Sequence, residues 1–157
     1  MNKLEKTNVI LKEIQKSDLD EFYRIANEKG VEKYVGFMYP EDVEDAEVTL
    51  DFLMDPEYIC FKIIESESGN MVGIIFGDEV SEDEIDISFF IGNEYRKKGY
   101  CAMAVTLYEE YLKQHTEFKK MQFYIKKKNR KSQNVMKRLG IHEKSRDKYA
   151  IIYGKRI

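Results

Sequence analysis

Ile91-Gly92-Asn93-Glu94-Tyr95-Arg96-Lys97-Lys98-Gly99-Tyr100-Cys101 is the stretch around which the chain organises itself. Before it, Ile85, Ile87, Phe89 and Ile91 alternate with Asp86, Ser88 and Phe90, the period of a strand. After it, Cys101, Val105, Tyr108 and Leu112 share one helical face as far as about Lys113. A strand therefore ends, a short loop carries three cations, and a helix begins at or near Gly99. The first turn of a helix exposes unpaired N–H groups at the positive end of its dipole, which suits an anion. Glycine lets the backbone bend left-handed and approach a ligand closely. Small Cys101 and Ala102 keep the next turn open.

A second stretch repeats the arrangement: Asn129-Arg130-Lys131-Ser132-Gln133-Asn134-Val135-Met136-Lys137-Arg138-Leu139-Gly140-Ile141. It follows the alternating strand Met121, Phe123, Ile125. Ser132, Val135, Met136 and Leu139 fall at i, i+3, i+4 and i+7, and Gly140 stops the helix. Asn129 and Ser132 stand three apart at its start, and either side chain can cap it.

Upstream, Val9 to Ile14 reads as a strand. Ser17-Asp18-Leu19-Asp20 resembles a capping box before an amphipathic helix carrying Leu19, Phe22, Tyr23 and Ala26. Glu41 to Met54 reads as a second helix between Pro40 and Pro56. Ile59 to Ile64 and Met71 to Phe76 are strands joined by the turn Glu67-Ser68-Gly69-Asn70, with a third strand to Ile91. Connections this short predict antiparallel neighbours. Downstream, Ile141 to Glu143 and Tyr149 to Tyr153 close the sheet as a hairpin. The expected architecture is a mixed α/β fold: one mostly antiparallel sheet flanked by about four helices, a single domain over residues 1–157, and not a doubly wound array.

Composition narrows the function. Hydrophobic residues make up 43% of the 157 and charged ones 35%, the balance of an ordinary globular domain. No apolar run approaches the ~18 residues of a membrane span, and Met1 to Ile14 lacks the apolar core of a secretory leader. Cys60 and Cys101 form neither metal spacing nor a disulfide framework, which fits a reduced, cytoplasmic location. His115 and His142 have no ligand partners at zinc spacing, so no metal is expected. There is no G-x-S-x-G elbow, no G-x-G-x-x-G and no Walker loop. Charge is strongly segregated: Met1–Glu94 holds 24 acids against 8 bases, and Lys119–Ile157 holds 14 bases against 2 acids. Partners of opposite sign at the two ends are the physical expectation.

In order and spacing, the two stretches resemble the GNAT superfamily of acetyl-CoA-dependent N-acetyltransferases. Arg96, Gly99 and, imperfectly, Cys101 meet its R/Q-x-x-G-x-G/A loop. Asn129, Ser132, Val135-Met136 and Leu139-Gly140-Ile141 meet its N-x-x-S/A, apolar pair and L-G-F signature. The wording around Tyr95-Arg96 and Ser132 looks most like the branch containing ribosomal-protein alanine acetyltransferases.

The resemblance implies acetyl-CoA as acyl donor and an amine acceptor, with direct attack in a ternary complex. Pantetheine would run along the strand through Phe89 and Ile91. Amides of Arg96, Lys97, Lys98, Gly99, Tyr100, Cys101 and Ala102 would hold the pyrophosphate. A backbone N–H near Phe89 or Phe90 would stabilise the oxyanion. Asn129 would contact the donor or align the departing sulfur. Many members carry a tyrosine acid where this chain has Met136, so the acid falls to Ser132, to another tyrosine such as Tyr100, or to water. Asp86 and Glu84 are the candidate bases, two apart and so on one strand face. Eight acids and no lysine or arginine occur between Tyr34 and Phe61. The family places this region on the acceptor side, making Glu44, Glu47 and Asp51 candidate contacts for a cationic small-molecule or peptide amine. A polyamine acetyltransferase is the narrower alternative. A catalytically inactive acyl-CoA-binding domain and a ribosome- or RNA-binding module, the latter suggested by Lys126-Lys127-Lys128, Arg130 and Lys131 beside Tyr124, are the others. The acidic net charge of -3 speaks against nucleic acid, and a homodimer is left open.

Overall fold

The computed structural model describes residues 8–31 and 39–157; the first part of the leader reading (residues 1–7) and Tyr34 lie outside them. Seven strands form one sheet in the order β1-β2-β3-β4-β5-β7-β6. They are β1 (Val9–Glu13), β2 (Ile59–Glu65), β3 (Met71–Ser81), β4 (Glu84–Ile91), β5 (Lys120–Lys126), β6 (His142–Arg146) and β7 (Ala150–Arg156). Four helices accompany them: α1 (Leu19–Ala26), α2 (Val43–Leu53), α3 (Tyr100–His115) and α4 (Arg130–Arg138). Every neighbouring pair is antiparallel except β4 with β5, which is parallel. α3 alone crosses between these two strands, as a parallel connection requires. The mixed, mostly antiparallel fold class expected from sequence is the one observed.

Two apolar layers sandwich the sheet. On one face Val105, Leu107, Tyr108 and Leu112 of α3 and Met136 of α4 pack on Leu11, Ile63, Ile75, Ile85, Ile87 and Phe123. On the other, Phe22 and Ile25 of α1 and Ala46, Leu50 and Leu53 of α2 cover Met71, Ile74, Phe76 and Phe90. Alternation along β4 sends Ile85, Ile87 and Ile91 to the first layer and Phe90 to the second. A fully buried Leu or Phe contributes about 1.5–3 kcal/mol, so each layer is a substantial source of stability.

Several boundaries shift for local reasons. The first helix is preceded by a 3-10 turn over Lys16–Asp18, and its capping bond runs from Gln15 N–H to Asp18 Oδ2 (2.7 Å), not to Ser17. α2 starts at Val43 because Asp42 accepts from Asp45 N–H (2.8 Å). β3 continues past Phe76 to Ser81, although Asp78 to Ser81 are exposed and, Val80 apart, polar. The neighbouring β4 supplies the ladder there, pairing Asp78 with Asp86 and Glu79 with Ile85.

Candidate active site

β4 and β5 pair only at Glu84–Lys120, Ile85–Met121 and Asp86–Gln122. Beyond Asp86 and Gln122 the two strands splay, and clefts open on both faces of the sheet around the gap. The first, of about 300 Å³, lies between the β4–α3 loop and α4; Phe89, Ile91, Arg96, Gly99, Ala102 and Ser132 are among its walls. The second, of about 520 Å³, is lined by Phe52, Tyr58, Phe76, Asp78, Asp86 and Tyr124, among others. Phe89, Asn129 and Ser132 line both.

The loop of the first cleft bends twice through left-handed backbone, at Lys97 (φ 69°) and Gly99 (φ 77°). A Cβ on Gly99 would stand 3.6 Å from the Arg138 guanidinium. After these bends α3 begins. Met103 N–H closes onto Gly99 O (3.2 Å), while the amides of residues 97–102 find no acceptor among the described residues. This is the row of free donors that an anion requires. α1 and the turn after it steady the loop's entry: Glu28 Oε2 accepts from Asn93 N–H (2.8 Å), and Arg24 meets Glu94 at 3.3 Å. Tyr95 is buried, and Arg96 Nε–H donates to Ile91 O (3.3 Å).

Strand alternation fixes where the free groups of β4 point. Gly92 N–H donates to Val72 O (2.8 Å), so Phe90 and Ser88 also turn their amides toward β3. Phe89 and Ile91 turn theirs the other way, into the splay, beyond the last β4–β5 pair. Gly73 permits the close β3–β4 approach at this end, since a Cβ there would run into the Phe90 carbonyl oxygen.

On the opposite face, Asp86 accepts from Gln122 Nε2 (3.2 Å). Burial pushes its carboxyl up to about 6, with Asp78 and Glu84 adding repulsion. Asp78 is its direct cross-strand partner. Phe52 and Tyr58 stack at 4.8 Å along one wall. Desolvation and the nearby Asp78 raise the Tyr58 hydroxyl above its ordinary value.

The sequence-derived site residues distribute as follows. Arg96, Lys97, Gly99, Tyr100, Cys101, Ala102, Phe89, Ile91, Asn129 and Ser132 all border the first cleft. Lys98 does not; its ammonium lies 3.6 Å from Glu65. Tyr100 turns its hydroxyl to the same carboxylate (2.5 Å), which leaves it engaged rather than poised as an acid. Asn129 takes the capping role, its Oδ1 accepting from Ser132 N–H (3.1 Å), and Ser132 Oγ carries no hydrogen bond among the described residues. Met136 is fully buried in the core. Of the two base candidates, Asp86 lines the second cleft, whereas Glu84 pairs with Lys144 at 3.2 Å and does not. Glu44, Glu47 and Asp51 are exposed on α2 and stand outside the cleft lining. Sequence reasoning missed Lys131, Asn134 and Arg138 on the first cleft, and Phe52, Tyr58, Asp78 and Tyr124 on the second. The basic α4 face held a signal for the former. Nothing local marks the latter. Among the described residues no His/Cys/Asp/Glu cluster could hold a metal, and no helix is long and apolar enough to cross a membrane.

Comparison with known proteins gives a family. A family model described as Acetyltransferase (GNAT) domain matches residues 8–142. No curated protein matches the sequence. Solved structures share the fold at low identity. An acetyltransferase (GNAT family) from Bacillus anthracis superposes with TM-score 0.85 at 17% identity, over 98% of this chain and 96% of that one. The ribosomal-protein-S5-alanine acetyltransferase from Vibrio fischeri gives 0.80 at 15%, over 97% and 94%. The microcin C7 self immunity acetyltransferase MccE, solved with acetyl-CoA and AMP, gives 0.78 at 16%, over 97% and 94%.

Proposed function

This chain belongs to the GNAT acetyltransferases, and from that premise we propose that it acetylates a cationic primary amine whose acceptor end enters the second cleft. It is an acetyl-CoA-dependent N-acetyltransferase. The residues present fit the donor: free amides at the start of α3, a left-handed bend at Gly99, and Arg96, Lys131 and Arg138 around one cleft suit a diphosphate. When bound, acetyl-CoA supplies an acetyl group already activated as a thioester.

The observation that carries the reading is the sharing of Phe89, Asn129 and Ser132 by both clefts. A donor on one face of the sheet and an acceptor on the other would meet only there. The Phe89 N–H, aimed into the splay, is the donor we assign to developing negative charge on the acetyl oxygen. Asp86 is the base: its pKa near 6 leaves it ionised at neutral pH yet basic enough to draw a proton from an ammonium. It lies three residues, about 10 Å of strand, before Phe89, so bridging water completes the route. Ser132, relieved of capping by Asn129, relays a proton to the leaving sulfur and takes back, through bridging water, the one the attacking nitrogen loses.

Asp78 and Asp86 support the cationic acceptor. Like charges directly opposite on paired strands repel, and neither carboxylate has a cationic partner among the described residues. An acceptor with a second positive group, a diamine or a basic peptide, would relieve that repulsion between the aromatic walls. The free Cys60 and Cys101 support a reduced, cytoplasmic setting, and the continuous sheet supports one domain over 1–157. The test is release of free CoA from acetyl-CoA across diamines, basic peptides, neutral amines and acidic amines. Turnover confined to cationic amines supports the reading. Equal turnover of neutral or acidic acceptors would overturn the acceptor class.

A further inference from the structure

Glu65, the last residue of β2, lies far from both motifs in sequence yet touches the donor loop twice. Its Oε2 accepts from the Tyr100 hydroxyl at 2.5 Å and lies 3.6 Å from Lys98 Nζ. The two contacts bracket Gly99, the residue at the second left-handed bend. Oε1 meanwhile accepts from Ser68 Oγ (2.7 Å) in the β2–β3 turn, which is closed by Gly69 N–H to Glu65 O (2.8 Å). The carboxylate is only 13% exposed. Lys98 completes the assembly by resting 5.9 Å over the rings of both Tyr95 and Tyr100.

We propose that Glu65 is a positioning residue for the donor site, a half-buried brace that ties the β2–β3 turn to the loop and holds its amides aimed at the diphosphate. The geometry calls for one. Lys97 is the only non-glycine among the described residues with positive φ, a conformation that persists only where its surroundings enforce it. Glu28 secures the entry of the loop through Asn93, but from Lys97 to Ala102 no backbone N–H finds an acceptor among the described residues. Tyr100 and Lys98 supply the polar side-chain contacts that tie this span to a neighbouring strand, and both end on Glu65. The brace uses the charge of Lys98 internally, leaving the free amides, Lys97 and the α4 cations to face the ligand.

A simple electrostatic view makes the opposite forecast. Removing an anion beside a diphosphate site, and releasing Lys98, should tighten donor binding. The two accounts therefore separate by sign. For Glu65→Ala we expect the Kd for CoA, by calorimetry, and the KM for acetyl-CoA each to rise about tenfold, with kcat within about twofold. Glu65→Gln retains an acceptor for Tyr100 but loses the ion pair, and should recover part of the affinity. In the ligand-free chain, amide exchange at Met103 should accelerate in Glu65→Ala and not in Ser68→Ala. Should Glu65→Ala fail to fold, Tyr100→Phe and Lys98→Met each remove one contact and should each raise Kd severalfold. Unchanged or tighter CoA binding in these variants, or unchanged exchange at Met103, overturns the brace. Because the readout is donor affinity, the brace can fail while the acceptor assignment stands, and the reverse.

Discussion

The clefts we assign to donor and acceptor share three residues and otherwise have little in common. The donor cleft is built largely from one nearly contiguous stretch, residues 95–97 and 99–102, and from α4 with its cap Asn129. Its chemistry comes from amides, two left-handed residues and a helix end. The acceptor cleft is built from side chains on four separate elements and a loop: Phe52, Tyr58, Phe76 with Asp78, Asp86, and Tyr124. A site made of backbone must be encoded locally, by glycine placement and by where a helix starts. A site made of side chains is encoded by strand register, which no short window displays. The two clefts should therefore respond differently to substitution.

The largest effect is expected at Gly99. An aspartate there places a side chain and a negative charge where the backbone should approach a diphosphate, at a φ of 77° that disfavours any side chain. Saturating acetyl-CoA, at about 100 times its Kd, should add about 2.7 kcal/mol to the parent chain, or roughly 5–10 °C in Tm. Gly99→Asp should abolish that shift and weaken CoA binding by at least about 100-fold. Retention of the shift would break the assignment of the donor cleft.

Asp86→Asn tests the acceptor side and should separate activity from stability. As base, Asp86 gives kcat/KM an acid limb near pH 6, and the amide should lower the plateau by about 10²-fold and erase the limb. Stability should move the other way. The folded carboxyl is raised from 3.8 to about 6, chiefly by burial. Its favourable contribution is complete below the unfolded pKa and is lost as pH rises through 6. At pH 7 the ionised group is a liability on the order of 1 kcal/mol after allowing for its partial exposure. Thermal melts of Asp86→Asn should thus gain on the parent at pH 7 and not at pH 4. An unchanged rate profile would remove Asp86 from the chemistry whatever the melts show.

Much of the fold was legible because its signals are periodic. Alternation in Ile85–Ile91 and Met121–Ile125, the i, i+3, i+4 pattern of α3 and α4, and the stops at Gly140 and Pro56 all correspond to observed elements. What escaped was imposed from outside the local window. Asp78 to Ser81 lie beyond the strand expected to end at Phe76, and became strand because β4 offered them a ladder. Asp78 became a cleft residue for the same reason. Ser132 and Asn129 were interchangeable as caps on spacing alone, and only the bond from Ser132 N–H decides between them. The role of Glu65 depends on two contacts, 33 and 35 residues away in sequence.

Those two capping candidates give the next, smaller contrast. Ser132→Ala removes a hydroxyl with no hydrogen-bond partner among the described residues, so kcat should fall about 10- to 100-fold with Tm almost unchanged and CoA binding intact. Asn129→Ala removes the cap and should cost about 1 kcal/mol, or roughly 2–4 °C. A stability loss in Ser132→Ala with full turnover would exchange their roles.

The smallest effect is expected where sequence reasoning had looked for the acceptor. Glu44, Glu47 and Asp51 are exposed on α2, and Asp51 already lies 3.9 Å from Lys16. From outside the cleft lining they act on an incoming cation only through water, where the Debye length is about 8 Å at physiological salt. Reversing all three charges should lower kcat/KM for a diamine by about two- to threefold at low ionic strength, through the association step. The loss should vanish near 0.5 M salt, and kcat should not move. Asp78→Asn should behave otherwise, because Asp78 lines the cleft and repels Asp86 directly. It should reduce the preference for a diamine over a matched monoamine by about tenfold, and part of that loss should survive high salt because Asp86 is half-buried and the amine would sit in direct contact with the pair. If the triple reversal matched Asp78→Asn in size and in salt resistance, the acceptor would lie against α2 rather than between β3 and β4.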